Sequence, residues 1–131
     1  MRSNPFSFSE VIYTKTKKLE SRFQKEVIKD IKTRMPDAIV MKNDPHYIQG
    51  IPDLVILNGE HWGALEVKRS VNAVHQPNQD YYVDKMNRMS FAAFIFPENK
   101  DFILDRLEDK LSKEDDNDVR MGRRLQTQEA G

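Results

Sequence analysis

Residues 50–70, GIPDLVILNGEHWGALEVKRS, constrain the fold more than any other stretch of the chain. DLVIL and HWGALEVK are short and largely apolar, and the Asn58-Gly59 between them is the strongest short-range signal for a tight hairpin turn. They read as two antiparallel strands, with Asp53 opening the first and Glu66 near the end of the second. A turn at Asn58-Gly59 brings those two acids to one end of a sheet. Glu66 and Lys68 are two apart on one strand and leave on the same face. Val67, between them, sends its side chain to the other face and leaves its carbonyl near the carboxylates.

The elements around the hairpin follow from periodicity. Residues 1–14 have no clear period and read as an arm. From about Thr16 to Met35 the pattern is helical: Gln24, Val27, Ile31 and Met35 fall within about 60° of Glu20 on a helical wheel, with Phe23 as close on the other side. Glu20 therefore lies on the apolar stripe, whereas Glu26 and Asp30 lie well off it. Pro36 ends this helix, and Ala38 to Lys42 reads as a strand. After the hairpin come a polar loop over 70–78, a helix from about Asn78 to Met89, the β-rich run FAAFIF, and a third helix from Lys100 to Leu111. Residues 112–131 hold too few large apolar groups to offset their ordering entropy and read as a disordered polar tail. The expectation is one domain over 15–111, an α/β or α+β sandwich in the order α-β-β-β-α-β-α, with helices packed on a mixed sheet.

Two carboxylates as close as Asp53 and Glu66 repel, which raises the pKa of one unless a cation sits between them. The chain has no cysteine, so a metal would be held by oxygen or imidazole. A hard divalent ion such as Mg²⁺ accepts one or two carboxylates and keeps several waters. It can lower the pKa of a bound water and offset charge on a phosphate under attack. Lys68 would hold the water or the phosphoryl oxygens, and Glu20 would reach in from the helix through a water. The competing reading makes Glu66 and Lys68 a surface ion pair of little energetic consequence and Glu20 the rim of an apolar stripe.

Pro52-Asp53, followed thirteen residues on by Glu66-Val67-Lys68, resembles the signature of the PD-(D/E)XK nuclease superfamily. Gly50-Ile51-Pro52-Asp53 and the Glu20 to Gln24 spacing resemble, more narrowly, its virus-type replication-repair (VRR-NUC) branch, which includes small phage proteins and is related to Holliday-junction resolvases. The resemblance spans about Glu20 to Phe96 and includes a glutamine opening the helix after the signature, matched by Gln79. It implies a restriction-endonuclease-like core with a central four-stranded mixed sheet. By that resemblance Asp53 and Glu66 are metal ligands together with the Val67 carbonyl, Lys68 is the catalytic lysine, Glu20 the first-helix acid, and Gln79 a substrate- or water-positioning group. The activity implied is a Mg²⁺- or Mn²⁺-dependent DNA endonuclease of replication, recombination or repair, with branched DNA as the first substrate to test: the small resolvase-like relatives act on four-way junctions as symmetric homodimers, whereas a one-site monomer would nick or trim ends. The reading from a different class is a non-catalytic DNA-binding or assembly protein that keeps the fold.

Whole-chain charge gives no hint of a nucleic-acid partner, since 21 basic residues balance 21 acidic ones. Between Lys15 and Met35, however, eight basic residues stand against three acidic ones, either a solvated helix face or a phosphate-facing surface. The candidate DNA contacts are Lys17, Lys18, Arg22, Gln24 and Lys25 on the helix, with Lys42 and Arg69 flanking the signature. His46, His61 and His75 lack ligand spacing and read as surface residues. Tyr81 and Tyr82 are either base-stacking or core residues, and Trp62 either packs or meets a partner. No segment approaches the roughly 18–20 apolar residues of a membrane span, and MRSNPFSFSE lacks a secretory pattern, so the expected location is cytoplasmic, in the host if the chain is phage-encoded.

Overall fold

The computed structural model describes residues 7–112, and the elements run α1 (Phe8–Arg34), β1 (Ile39–Lys42), β2 (Leu54–Asn58), β3 (His61–Val67), α2 (Gln79–Met89), β4 (Ala92–Ile95), a 3₁₀ turn (Pro97–Asn99) and α3 (Lys100–Ser112). The first six residues of the expected arm and residues 113–131 of the expected tail lie outside the described residues. The rest of the arm is corrected: α1 begins at Phe8, not near Thr16. A capping box starts it, the Ser7 hydroxyl accepting from the Glu10 amide at 3.2 Å and the Glu10 carboxylate accepting from the Ser7 amide at 3.0 Å. The first turns of α1 bury nothing, which is why the apolar period does not reveal them. At the other end the Met35 amide still donates to Ile31 O, and Pro36 stops the helix.

The four strands lie in sequence order in one sheet, antiparallel between β1 and β2 and between β2 and β3, and parallel between β3 and β4. The protein is thus α+β, with a mixed four-stranded sheet and three helices. The parallel pair needs a long crossover, and α2 supplies it. The hairpin turn sits one residue later than expected. Asn58 still pairs with His61, so the loop is Gly59-Glu60, with positive φ at Gly59 and not at Glu60, the pattern of a II′ turn. Asn58 stays in the strand because its side chain is engaged elsewhere in the fold. Its Nδ2 donates to Leu111 O at 3.1 Å, satisfying a carbonyl at the end of α3.

Strand alternation divides the sheet into two unequal faces. Leu54, Ile56, Leu65, Val67 and Ile95 turn to α1 and α3 and form the main core with Phe23, Val27, Ile31, Leu104, Leu107 and Leu111. On the other face Ala64 and Ala92 meet Val83 of α2, with Val55, Trp62, Met86 and Phe94 around them. Gly63 lets α3 come close, for a Cβ there would stand 2.6 Å from Leu107 Cδ1. Lys100 bridges Glu26 and Asp30 of α1 at 2.9 and 2.7 Å, and Arg34 bridges Asp105 and Glu108 of α3, so the acids off the apolar stripe lash the two helices together. Among the described residues no helix is long and apolar enough to cross a membrane.

Candidate active site

The hairpin register that pairs Leu54 with Leu65 makes Asp53 and Glu66 neighbours one step further along. They hold each other through the backbone: the Asp53 amide donates to Glu66 Oε2 at 3.1 Å, and the Val67 amide donates to Asp53 Oδ2 at 3.0 Å. With Leu65 and Val67 committed to the main core, Glu66 is forced onto the α2 face. There Gln79, the first residue of α2, closes the network. Its Nε2 donates to Glu66 Oε1 at 2.8 Å, and its Oε1 accepts from Lys68 Nζ at 2.7 Å and from the Gln76 amide at 2.8 Å. Lys68 Nζ also donates to Val74 O at 3.0 Å. Glu66 and Lys68 are 2% and 5% exposed, so the pair is no solvent-facing ion pair.

Burial and proximity set the electrostatics. Burial, and after it the Asp53 charge, pushes the Glu66 carboxyl up to about 8. Burial likewise raises Asp53, against the Val67 amide and the Lys68 ammonium that favour its ionised form. Glu20 is raised by partial burial and then by Asp53, and Lys68, Lys17 and Arg69 oppose that rise. Glu20 therefore lies within the field of the hairpin charges, as the helical wheel predicts, while Glu26 is turned to α3.

A divalent cation suits these donors. Two carboxylates that each resist ionisation hold a proton between them unless a positive charge replaces it. Three N–H donors occupy only three of the pair's roughly eight lone-pair sites, and acceptor oxygens remain. Among the described residues no group of three acidic or histidine side chains is gathered as a metal-binding set. Asp53, Glu66 and the Val67 carbonyl are the groups that would bind the ion.

The candidate DNA contacts separate into two groups. The charges of Lys17 and Arg69 are felt at Glu20, and that of Lys17 also at Asp53. Lys42 is paired with Leu54, and next to it the Asn43 amide donates to Asp53 O at 2.8 Å, which places Lys42 on the adjoining strand end. Gln24 is half-buried one turn beyond Glu20. Lys18, Arg22 and Lys25 are exposed, but at 100° per residue they lie about 140–160° around α1 from Glu20, on the side turned away from the sheet. Among the aromatic candidates, Tyr81 is exposed beneath Lys85, Tyr82 is half-buried, and Trp62 packs against α2.

Two contributors escape the sequence reading. His75 is exposed, as the sequence reading expects, but its ring stacks on Phe94 and its Nδ1 lies 2.7 Å from Asp80 Oδ1. Gly50 has a φ of 89°, and a Cβ there would stand 2.7 Å from Asn78, the residue that caps α2 just before Gln79. The turn signal in Gly50-Ile51-Pro52 points to a bend, but only the fold shows what the bend touches. Neither protein-family models, nor curated proteins, nor solved structures give a match to this chain.

Proposed function

We propose that this chain is a metal-dependent DNA endonuclease with a restriction-endonuclease-like core, of the PD-(D/E)XK kind and similar to its VRR-NUC branch. The observation that supports this most is the network in which one glutamine, Gln79, binds both Glu66 and Lys68 while Glu66 and Asp53 hold each other through the backbone. Burying the Glu66 carboxylate and the Lys68 ammonium beside a half-buried Asp53 destabilises a small domain, and a surface ion pair would not require it. Strained electrostatics of this kind cluster at working sites.

The bound cation, Mg²⁺ or Mn²⁺, would supply positive charge against the phosphate and lower the pKa of water. The chain's own groups do the rest. Lys68 commits two of its three N–H donors to Val74 O and Gln79 Oε1, and the third is available to a phosphoryl oxygen or the attacking water. Glu20, whose pKa is raised, is suited to accept a proton from that water. Lys17 and Arg69, which lie in the field of the acids, and Lys42 on the adjoining strand end would bind backbone phosphates without regard to sequence. Four-way junctions, cut by a homodimer in the cytoplasm, are the substrate to test first.

The test incubates the protein with labelled four-way junction, duplex and single-stranded DNA, in Mg²⁺, Mn²⁺ or chelator, beside Asp53→Ala and Lys68→Ala. Metal-dependent cutting by wild type, lost in both variants while binding persists, is expected. Binding by wild type with no cutting in any metal refutes the enzyme and leaves the non-catalytic DNA-binding protein. Undiminished cutting by Asp53→Ala refutes the site.

A further inference from the structure

His75 is held at two points, and the residue on either side of it at one more. Its Nδ1 lies 2.7 Å from Asp80 Oδ1 in the first turn of α2, and its ring stacks on Phe94 with centroids 4.1 Å apart and planes 15° from parallel. The backbone on either side of it belongs to the site network, for Val74 O accepts from Lys68 Nζ and the Gln76 amide donates to Gln79 Oε1. Phe94 is itself the register partner of Glu66 on the next strand. The ring is thus one strand from the carboxylate pair, yet 36% of its side chain stays accessible, enough for a polymer to reach it. His46, exposed in the 43–50 loop, has no comparable fixation. A carboxylate on Nδ1 sets the tautomer and leaves Nε2 as the ring's remaining hydrogen-bonding atom.

The two faces of the sheet give that atom a role. Displacement at phosphorus is in line, with entering and leaving oxygens on opposite sides. Glu20 comes from α1, which packs on one face of the sheet, whereas Phe94 and α2, which hold His75, lie on the other. The carboxylate pair stands between them at the strand ends. We infer that His75 is a catalytic residue, the donor of a proton from Nε2 to the leaving oxygen of the DNA phosphodiester, an assignment that rests on the nuclease reading of the same site. In that step the water oxygen bonds to phosphorus and its proton passes to Glu20. The bond from phosphorus to the leaving nucleoside oxygen breaks, its electron pair staying on that oxygen. The imidazolium Nε2–H then protonates this oxygen and the ring is left neutral. Solvent re-protonates His75 and takes the proton from Glu20, so one phosphodiester and one water give a phosphate monoester end and a hydroxyl end.

A sulfur leaving group tests this, because a thiolate departs without a proton. The full chain in Mg²⁺ or Mn²⁺ is given DNA whose cut position and product ends are known, and the same DNA with the bridging leaving oxygen replaced by sulfur. His75→Ala is expected to cut the oxygen substrate roughly 10²–10⁴-fold more slowly than wild type and the sulfur substrate at the wild-type rate. Asp80→Asn, which keeps an acceptor for Nδ1–H but not the charge, is expected to lose part of the rate on oxygen alone. The sulfur rate also certifies that each variant is folded. Equal slowing on both substrates overturns the assignment, since His75 then only holds the loop. Undiminished cutting of the oxygen substrate by His75→Ala overturns it as well. Wild type that cuts none of the DNAs from which a cut position is first mapped refutes the nuclease reading itself.

Discussion

Without a divalent cation, raising the pH should make this protein easier to unfold, and Glu66 sets how much. Its carboxyl is pushed from 4.5 up to about 8, by burial first and by Asp53 second. Between those values the folded chain keeps a proton that the unfolded chain has lost. The stabilisation is therefore complete below about pH 4.5 and is lost as the pH rises through about 8. At about 1.36 kcal/mol per pH unit, the gap sets a ceiling of about 5 kcal/mol. Even part of that ceiling, a few kcal/mol, is on the order of 10 °C in Tm for a domain of this size.

On the proposed function Mg²⁺ would take the place of a proton on the carboxylate pair, so its stabilising effect should grow with pH. Calorimetric melts at about pH 5, 6.5 and 8, in chelator or in millimolar Mg²⁺, measure both trends beside Glu66→Gln. The glutamine cannot titrate and satisfies only one of the two N–H donors that Glu66 accepts, so its Tm starts lower. Its pH profile should nevertheless be flatter and its response to Mg²⁺ smaller, and the slope is the readout rather than the height. A Mg²⁺ shift of equal size at both ends of the pH range, or a variant that follows wild type in slope, would refute the reasoning.

Two more perturbations address the parts around the carboxylates. Gly50→Ala forces a Cβ to within 2.7 Å of Asn78 at a φ of 89°, which should cost about 1–3 kcal/mol in thermal melts. It should also lower cleavage measured well below Tm, because the clash displaces the residue before Gln79; unchanged cleavage would separate Gly50 from the site. Lys17→Ala should reduce the slope of log Kd against log salt by about one, while Lys18→Ala, on the far side of α1, leaves it unchanged. Equal effects of the two would mean that DNA wraps the helix rather than meeting it at Glu20.

Much of the site is legible because short-range geometry writes it. A hairpin fixes Asp53 against Glu66 through register, and a helical wheel places Glu20 on the buried side and Glu26 off it. The start of α1 is written too, in Ser7 and Glu10, but no apolar stripe is needed there, and a search for buried period passes over it. The same wheel that selects Glu20 also turns Lys18, Arg22 and Lys25 away, a consequence that a count of charges does not contain. Asn58 shifts the turn by one residue because of a carbonyl 53 positions away, and His75 is fixed by Phe94 across 19. Neither partner has any local signature. On α3, Ile103, Leu104, Leu107 and Leu111 point inward, while Phe102 is exposed under Arg106.

The main core and the site are two consequences of one alternation. Leu54, Ile56, Leu65 and Val67 must face α1 and α3 if this small domain is to have a core, and that requirement leaves Asp53, Glu66 and Lys68 no choice of side. A one-residue slip of the hairpin would bury the charges among the leucines and expose the leucines to α2, so hydrophobic burial enforces the register that the chemistry depends on. The electrostatic destabilisation of the site is concentrated at the strand ends, where Gln79 can satisfy Glu66 and Lys68 together and where the chain is open to solvent on one side. Gly50 matters for the same reason, because it lets the 43–50 loop approach Pro77 and Asn78 and so ties the entrance of β2 to the start of α2. The fold thus brings Asp53, Glu66 and Lys68 to the junction of two loops and one helix terminus.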